Sequence, residues 1–179
     1  RLAWGSEYLY QFLVKFIAGT ATTIRYSGDS TTAQGNQYPD YLTKMLASWP
    51  SITPNKAGFS GKNTGHWLST YLSGDIAANP TVLLWHWGMN DCVSQGRTLT
   101  QFEADLRAGL TLYRASCPIA TNGIILMTPN ASSDGTGGRD EKFQEQISRI
   151  IKNAAEDFQC AYFDTYGFFQ DGYVGIGQW

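Results

Sequence analysis

Five runs of β-type residues alternate along this chain with helical runs, and that alternation most narrows the folds open to it. The β-type runs are Thr22 to Tyr26, Ile52 to Ala57, Thr81 to Trp87, Ile124 to Thr128 and Ala161 to Asp164. Between them lie segments whose apolar side chains recur at helical spacing. Neighbouring parallel strands need a connecting helix, and such crossovers are right-handed almost without exception. The pattern therefore predicts a doubly wound, three-layer α/β domain around a parallel sheet of about five strands.

The helical runs have readable ends and faces. Leu9, Phe12, Leu13, Phe16 and Ile17 mark a helix over about residues 6–18, closed by Gly19. A polar linker after Ser30 leads to Pro39, after which Leu42, Met45, Leu46 and Trp49 form one apolar face. Trp67 to Ile76 reads as a helix with Leu68, Tyr71 and Leu72 inward. Thr100 and Glu103 read as a capping box for a helix burying Phe102, Leu106, Leu110 and Tyr113. Phe143, Ile147, Ile150, Ile151, Ala154 and Phe158 define the last long helix. The expected organisation is an N-terminal helix in residues 1–20 packed on one domain, 21–179.

Composition sets the remaining bounds. A chain of 179 residues, 42% hydrophobic and 16% charged, suits one globular domain. No apolar run approaches the roughly 20 residues of a membrane helix. With a formal net charge of -2 there is no basic surface to predict nucleic-acid binding. Cys92, Cys117 and Cys160 are too few and too scattered for a disulfide framework or a zinc site, and read as buried thiols. No metal or cofactor is expected. Lys15 interrupts the apolar N-terminal run, which fits a secretory signal poorly, and Arg1 suggests a fragment or processed chain.

In such a sheet, every loop leaving a strand's C-terminal end lies on one edge, where α/β proteins place their chemistry. Gly28-Asp29-Ser30 follows the first strand, Phe59 to Asn63 the second, and Gly88-Met89-Asn90-Asp91 the third. Further loops run from Asn130 to Arg139 and onward from Asp164. Ser30 can act as a nucleophile there, with the amides of Ser30 and Gly61 and the side-chain amide of Asn90 binding an oxyanion.

These blocks resemble the SGNH hydrolases, also called the GDSL family of esterases and lipases. Gly28-Asp29-Ser30 resembles the first block, Ala57-Gly58-Phe59-Ser60-Gly61 the second and Gly88-Met89-Asn90-Asp91 the third. The resemblance covers residues 22–165 and implies a serine esterase with Ser30 as nucleophile and Ser30 N–H, Gly61 and Asn90 as oxyanion donors. Gly65 is a weaker substitute for Gly61. The family's fourth block, Asp-x-x-His, is missing. Asp171-Gly172-Tyr173-Val174 places valine where the histidine would stand. Truncation before that block is the expectation, and loss of the base the alternative, which would make the chain a binding or assembly domain.

Two histidines remain. His86, between Trp85 and Trp87, reads as a hydrogen-bonded core residue, while His66, beside the oxyanion loop, is the reserve base and otherwise a surface residue. Asp91 alone reads as an Asx turn. Gly135-Thr136-Gly137-Gly138 lacks the lysine of a phosphate loop and reads as a substrate-side loop. Gly28 to Thr32 after an aromatic N-terminal helix also resembles the variant of this family found in phage tail fibres and tailspikes. That likeness implies an acetylated carbohydrate substrate, a virion tail setting and a homotrimer.

Overall fold

A computed structural model describes residues 3–92, 97–132 and 139–176. Its centre is a six-stranded sheet of order β1-β6-β5-β4-β2-β3. The strands are β1 (Ala3–Trp4), β2 (Thr22–Gly28), β3 (Ile52–Gly58), β4 (Val82–His86), β5 (Gly123–Met127) and β6 (Ala161–Phe163). All neighbours from β2 to β6 pair in parallel, as the crossover argument requires. The sixth strand was not expected. β1 adds itself antiparallel to β6, with only two residues and no alternation to betray it.

Burial on both faces explains why β4 and β5 are nearly continuous apolar runs. One face, with Leu83, Trp85, Ile124 and Leu126, packs on α4 (Thr64–His66), a π turn (Trp67–Tyr71), α5 (Leu72–Ala78), α6 (Leu99–Ser116) and α7 (Glu141–Asp157). The other, with Ile24, Tyr26, Val82, Leu84 and Met127, meets α1 (Tyr10–Ile17) through Phe12 and Phe16 and α3 (Tyr38–Leu46) through Leu42 and Leu46. This second layer is thinner. A cavity of about 680 Å³ lies on the sheet between α1, α3 and α8 (Thr165–Ile176).

Several local expectations need correction. The polar linker after Ser30 begins with a helical turn, α2 (Ser30–Ala33), because the Asp29 side chain caps it by accepting from Thr31 N. The capping box of α6 is Thr98 with Gln101 rather than Thr100 with Glu103, since Thr98 has the extended backbone an N-cap needs. Met45 and Trp49 are exposed, whereas in the 67–76 run Leu72 is buried and Leu68 and Tyr71 pack half-buried against the core, with Trp67 fully buried beside them. Past β6 there is no loop, because Asp164 accepts from Gly167 N and α8 starts at once. Asp171 to Val174 lie on α8 by their backbone, and the Gly135 to Gly138 loop lies outside the described residues.

Among the described residues no helix is long and apolar enough to cross a membrane.

Candidate active site

The site grows from the level ends of three adjacent strands. Gly28 on the central β2 pairs with Gly58 on β3 and with His86 on β4. Ser30, Gly61 and Asn90 therefore stand two, three and four residues beyond paired positions, on the same sheet edge. Glycine at 58 permits this closeness, since a Cβ there would land on the backbone of Ala33 in α2. Phe59 N donates to Gly28 O at 2.9 Å and Asp29 N to His86 O at 3.4 Å, so the loops leave the sheet still joined.

Ser30 is half-buried at the first position of α2, where a backbone N–H has no acceptor within the helix. Its neighbour Asp29 is 1% exposed and holds the elbow in shape. One oxygen accepts from Thr31 N and Thr31 Oγ1, both at 3.0 Å, and the other from Met89 N at 3.2 Å. Burial pushes this carboxyl above its ordinary range, against the pull of His86 and of those donors.

The second loop is tied to the third. Asn90 Nδ2 donates to Lys62 O at 2.8 Å, and the buried Asp91 accepts from Thr64 N and Thr64 Oγ1 at 3.1–3.2 Å. Gly61 has φ +71°, a conformation glycine adopts without strain, and it is exposed. Gly65 is already inside α4 with the Arg97 guanidinium against it, which sets it apart from the loop. Arg139 Nε donates to Met89 O at 3.4 Å and brings the loop after β5 to the same edge.

Neither imidazole is hydrogen-bonded to Ser30. His86 lies beneath the elbow, 2% exposed, with Nδ1 3.2 Å from Thr31 Oγ1 and its ring edge-on to Tyr38. The Thr31 hydroxyl has one proton. If it donates to Asp29, its oxygen accepts from Nδ1–H of the imidazole, which burial keeps toward its neutral form by pushing the His86 pKa down. His66 is exposed at the end of α4, its Nδ1 2.7 Å from Asn63 Oδ1 in a reciprocal cap.

Sequence reasoning missed the buried carboxylates around these loops. Asp29 and Asp91 look like turn residues until packing buries them. Asp75 is fully buried and accepts from Arg25 Nε and Ser27 Oγ at 2.6 Å and from Trp67 Nε1 at 2.9 Å. Arg25 in the middle of a strand was the available signal, because a cation placed in a sheet needs an anion beside it. Among the described residues no three His, Cys, Asp or Glu side chains converge as metal ligands would.

Comparison with known proteins bears on the family and the fold. Residues 27–175 match the GDSL-like Lipase/Acylhydrolase family. Among solved structures, an acetylxylan esterase from Geobacillus stearothermophilus is similar, with TM-score 0.74, 22% identity, 88% of this chain and 82% of that one covered. A catalytic mutant of the same esterase, with histidine replaced by alanine, matches over 90% and 83% at the same identity and TM-score. A further acetyl xylan esterase reaches TM-score 0.74 at 19% identity, covering 86% and 82%. Nothing among curated protein sequences matches the chain.

Proposed function

The chain belongs to the GDSL-like lipase/acylhydrolase family, whose members are carboxylic-ester hydrolases, and on that premise we propose that Ser30 is the nucleophile of a serine esterase removing O-acetyl groups from carbohydrate. One observation carries the reading: the register of β2, β3 and β4 brings the loops of Ser30, Gly61 and Asn90 to one edge, cross-linked by the Asp29 and Asn90 side chains. The similar solved structures support the substrate class, since they are acetylxylan esterases, and the catalytic mutants among them replace a serine, an aspartate and a histidine.

Ser30 Oγ attacks the acetyl carbonyl and gives its proton to an imidazole. The oxyanion that forms is held by Ser30 N–H, Gly61 N–H and the second Nδ2 proton of Asn90. Collapse expels the sugar oxygen, which takes the proton from the imidazolium, and water then releases acetate from the serine. His86 and His66 are engaged with Thr31 and Asn63, and neither is hydrogen-bonded to Ser30. The same engagement favours a second reading, a domain of this family that binds without catalysis.

Replacing Ser30 by alanine in the native polypeptide abolishes hydrolysis of 4-nitrophenyl acetate if the reading holds. Undiminished turnover in Ser30→Ala refutes it, and no turnover in the wild type favours the binding domain. Acetate release from acetylated polysaccharide should exceed hydrolysis of long-chain lipid esters. Preference for the lipid would overturn the substrate class.

A further inference from the structure

Asp91 follows the proposed oxyanion donor Asn90 directly, is 1% exposed and points its carboxylate away from solvent into the N-terminus of α4. Its two oxygens lie 3.2 and 3.1 Å from Thr64 N, and Oδ2 also takes the Thr64 hydroxyl at 3.1 Å. Thr64 N–H is one of the orphan donors of a helix start, and the run from 64 to 78 is continuous helix whose dipole favours an anion there. The adjacent Asn90 holds Lys62 O at 2.8 Å. Two consecutive residues of one loop thus grip residues 62 and 64 of the other, immediately after Gly61 and on either side of Asn63.

We propose that Asp91 is a positioning residue for ester hydrolysis: by holding Thr64 through both amide and hydroxyl, it sets the Gly61 loop at a fixed distance from Asn90 so that both donors converge on one oxyanion. The inference rests on the reading of Gly61 and Asn90 as those donors. The physical need is plain. Asn90 alone fixes one carbonyl through a rotatable side chain, whereas Asp91 fixes the start of a helix through a buried group with no freedom to move. An oxyanion hole works only when its donors are already placed, and displacement by about 1 Å is enough to cost about 10²-fold in rate. The charged groups that face Asp91 are Asp29 from the elbow and Arg97 from the segment before α6, with the Cys92 thiol beside it. Burial and Asp29 hold its carboxyl up at about 7, so the grip titrates in an accessible range.

Two readouts test the assignment. In steady-state hydrolysis of 4-nitrophenyl acetate by the native polypeptide, Asp91→Ala lowers kcat at least tenfold with KM within twofold. Asp91→Asn, which keeps one acceptor for Thr64, restores most of kcat. A folded Asp91→Ala protein with kcat within twofold of wild type overturns the proposal. If Ser30→Ala abolishes turnover while Asp91→Ala does not, only this inference fails and the esterase reading stands. The second readout needs no turnover and survives if Asp91→Ala does not fold. In amide NMR spectra of the wild type, Thr64 N–H, Gly61 N–H and the Asn90 side-chain amide move together with a midpoint near 7, and in Asp91→Asn they do not. Movement of Thr64 alone, with Gly61 and Asn90 still, refutes the coupling.

Discussion

Asn90 donates a side-chain amide proton to the carbonyl of Lys62 at 2.8 Å, joining two loops that lie 28 residues apart. The bond orients the amide and leaves its second proton free to point toward a substrate oxygen. Two roles therefore meet in one group. Asn90→Ala should lower kcat about 10²–10³-fold as an oxyanion donor is removed, with little change in KM. Steady-state kinetics on an activated acetyl ester checks this, and a loss confined to KM would assign Asn90 to ground-state binding instead.

Gly58 lets α2 lie against β3. A methyl group at this position would land on the backbone N and Cα of Ala33, which no side-chain rotation can relieve. Gly58→Ala should therefore destabilise the fold by about 1–3 kcal/mol, the range of overpacked sites, and displace the turn that begins with Ser30. Urea denaturation gives the stability loss. An unchanged midpoint would mean that α2 moves freely, and that the elbow is not braced from this side.

The parts of this fold legible in the sequence were those set by local chemistry. Helical spacing at Phe102, Leu106, Leu110 and Tyr113 found a buried helix face, and all four are buried completely. The blocks at Gly28 to Ser30, Ala57 to Gly61 and Gly88 to Asp91 marked the loops that share one sheet edge. What stayed hidden depends on contacts distant in sequence. Ala3 and Trp4 become a strand only because β6 offers an open edge to pair with. Asp29 and Asp91 have the local look of turn residues, and their roles emerge only when Met89 and Thr64 are brought to them by the sheet. The α6 cap shifted from Thr100 to Thr98 because both threonines suit an N-cap and only the backbone chooses between them.

Asp75 joins three elements from beneath the site. Its oxygens take Arg25 Nε, Ser27 Oγ and Trp67 Nε1, and Trp87 Nε1 in turn donates to Ser27 Oγ at 3.2 Å. The carboxylate is 0% exposed and Arg25 only 13%. Removing the acid leaves a largely buried guanidinium and two other donors without their acceptor, so Asp75→Ala should cost about 3–5 kcal/mol. Asp75→Asn keeps one acceptor oxygen and should lose less. Chemical denaturation of both variants tests the order, and a loss below about 1 kcal/mol for alanine would show that water replaces the carboxylate.

Stability should also record the Asp91 proton. Desolvation by burial raises its folded pKa to about 7 from an ordinary 3.8. Below about pH 4 both folded and unfolded chains hold the proton and Asp91 adds no pH dependence. Between that point and about 7 the folded chain keeps a proton that the unfolded chain has released, so rising pH favours unfolding. The contribution is greatest in acid and is lost as pH rises through the folded pKa. Asp91→Asn carries no titrating group at this position, while the other ionisable side chains are the same in both proteins. The stability of wild type minus variant should therefore fall by a few kcal/mol, in order of magnitude, from pH 4 to pH 7.5 and then level off. Thermal unfolding of the two proteins across that range measures the difference directly. A difference that rises with pH would mean that the Thr64 donors and Arg97 outweigh burial and that Asp91 is ionised throughout.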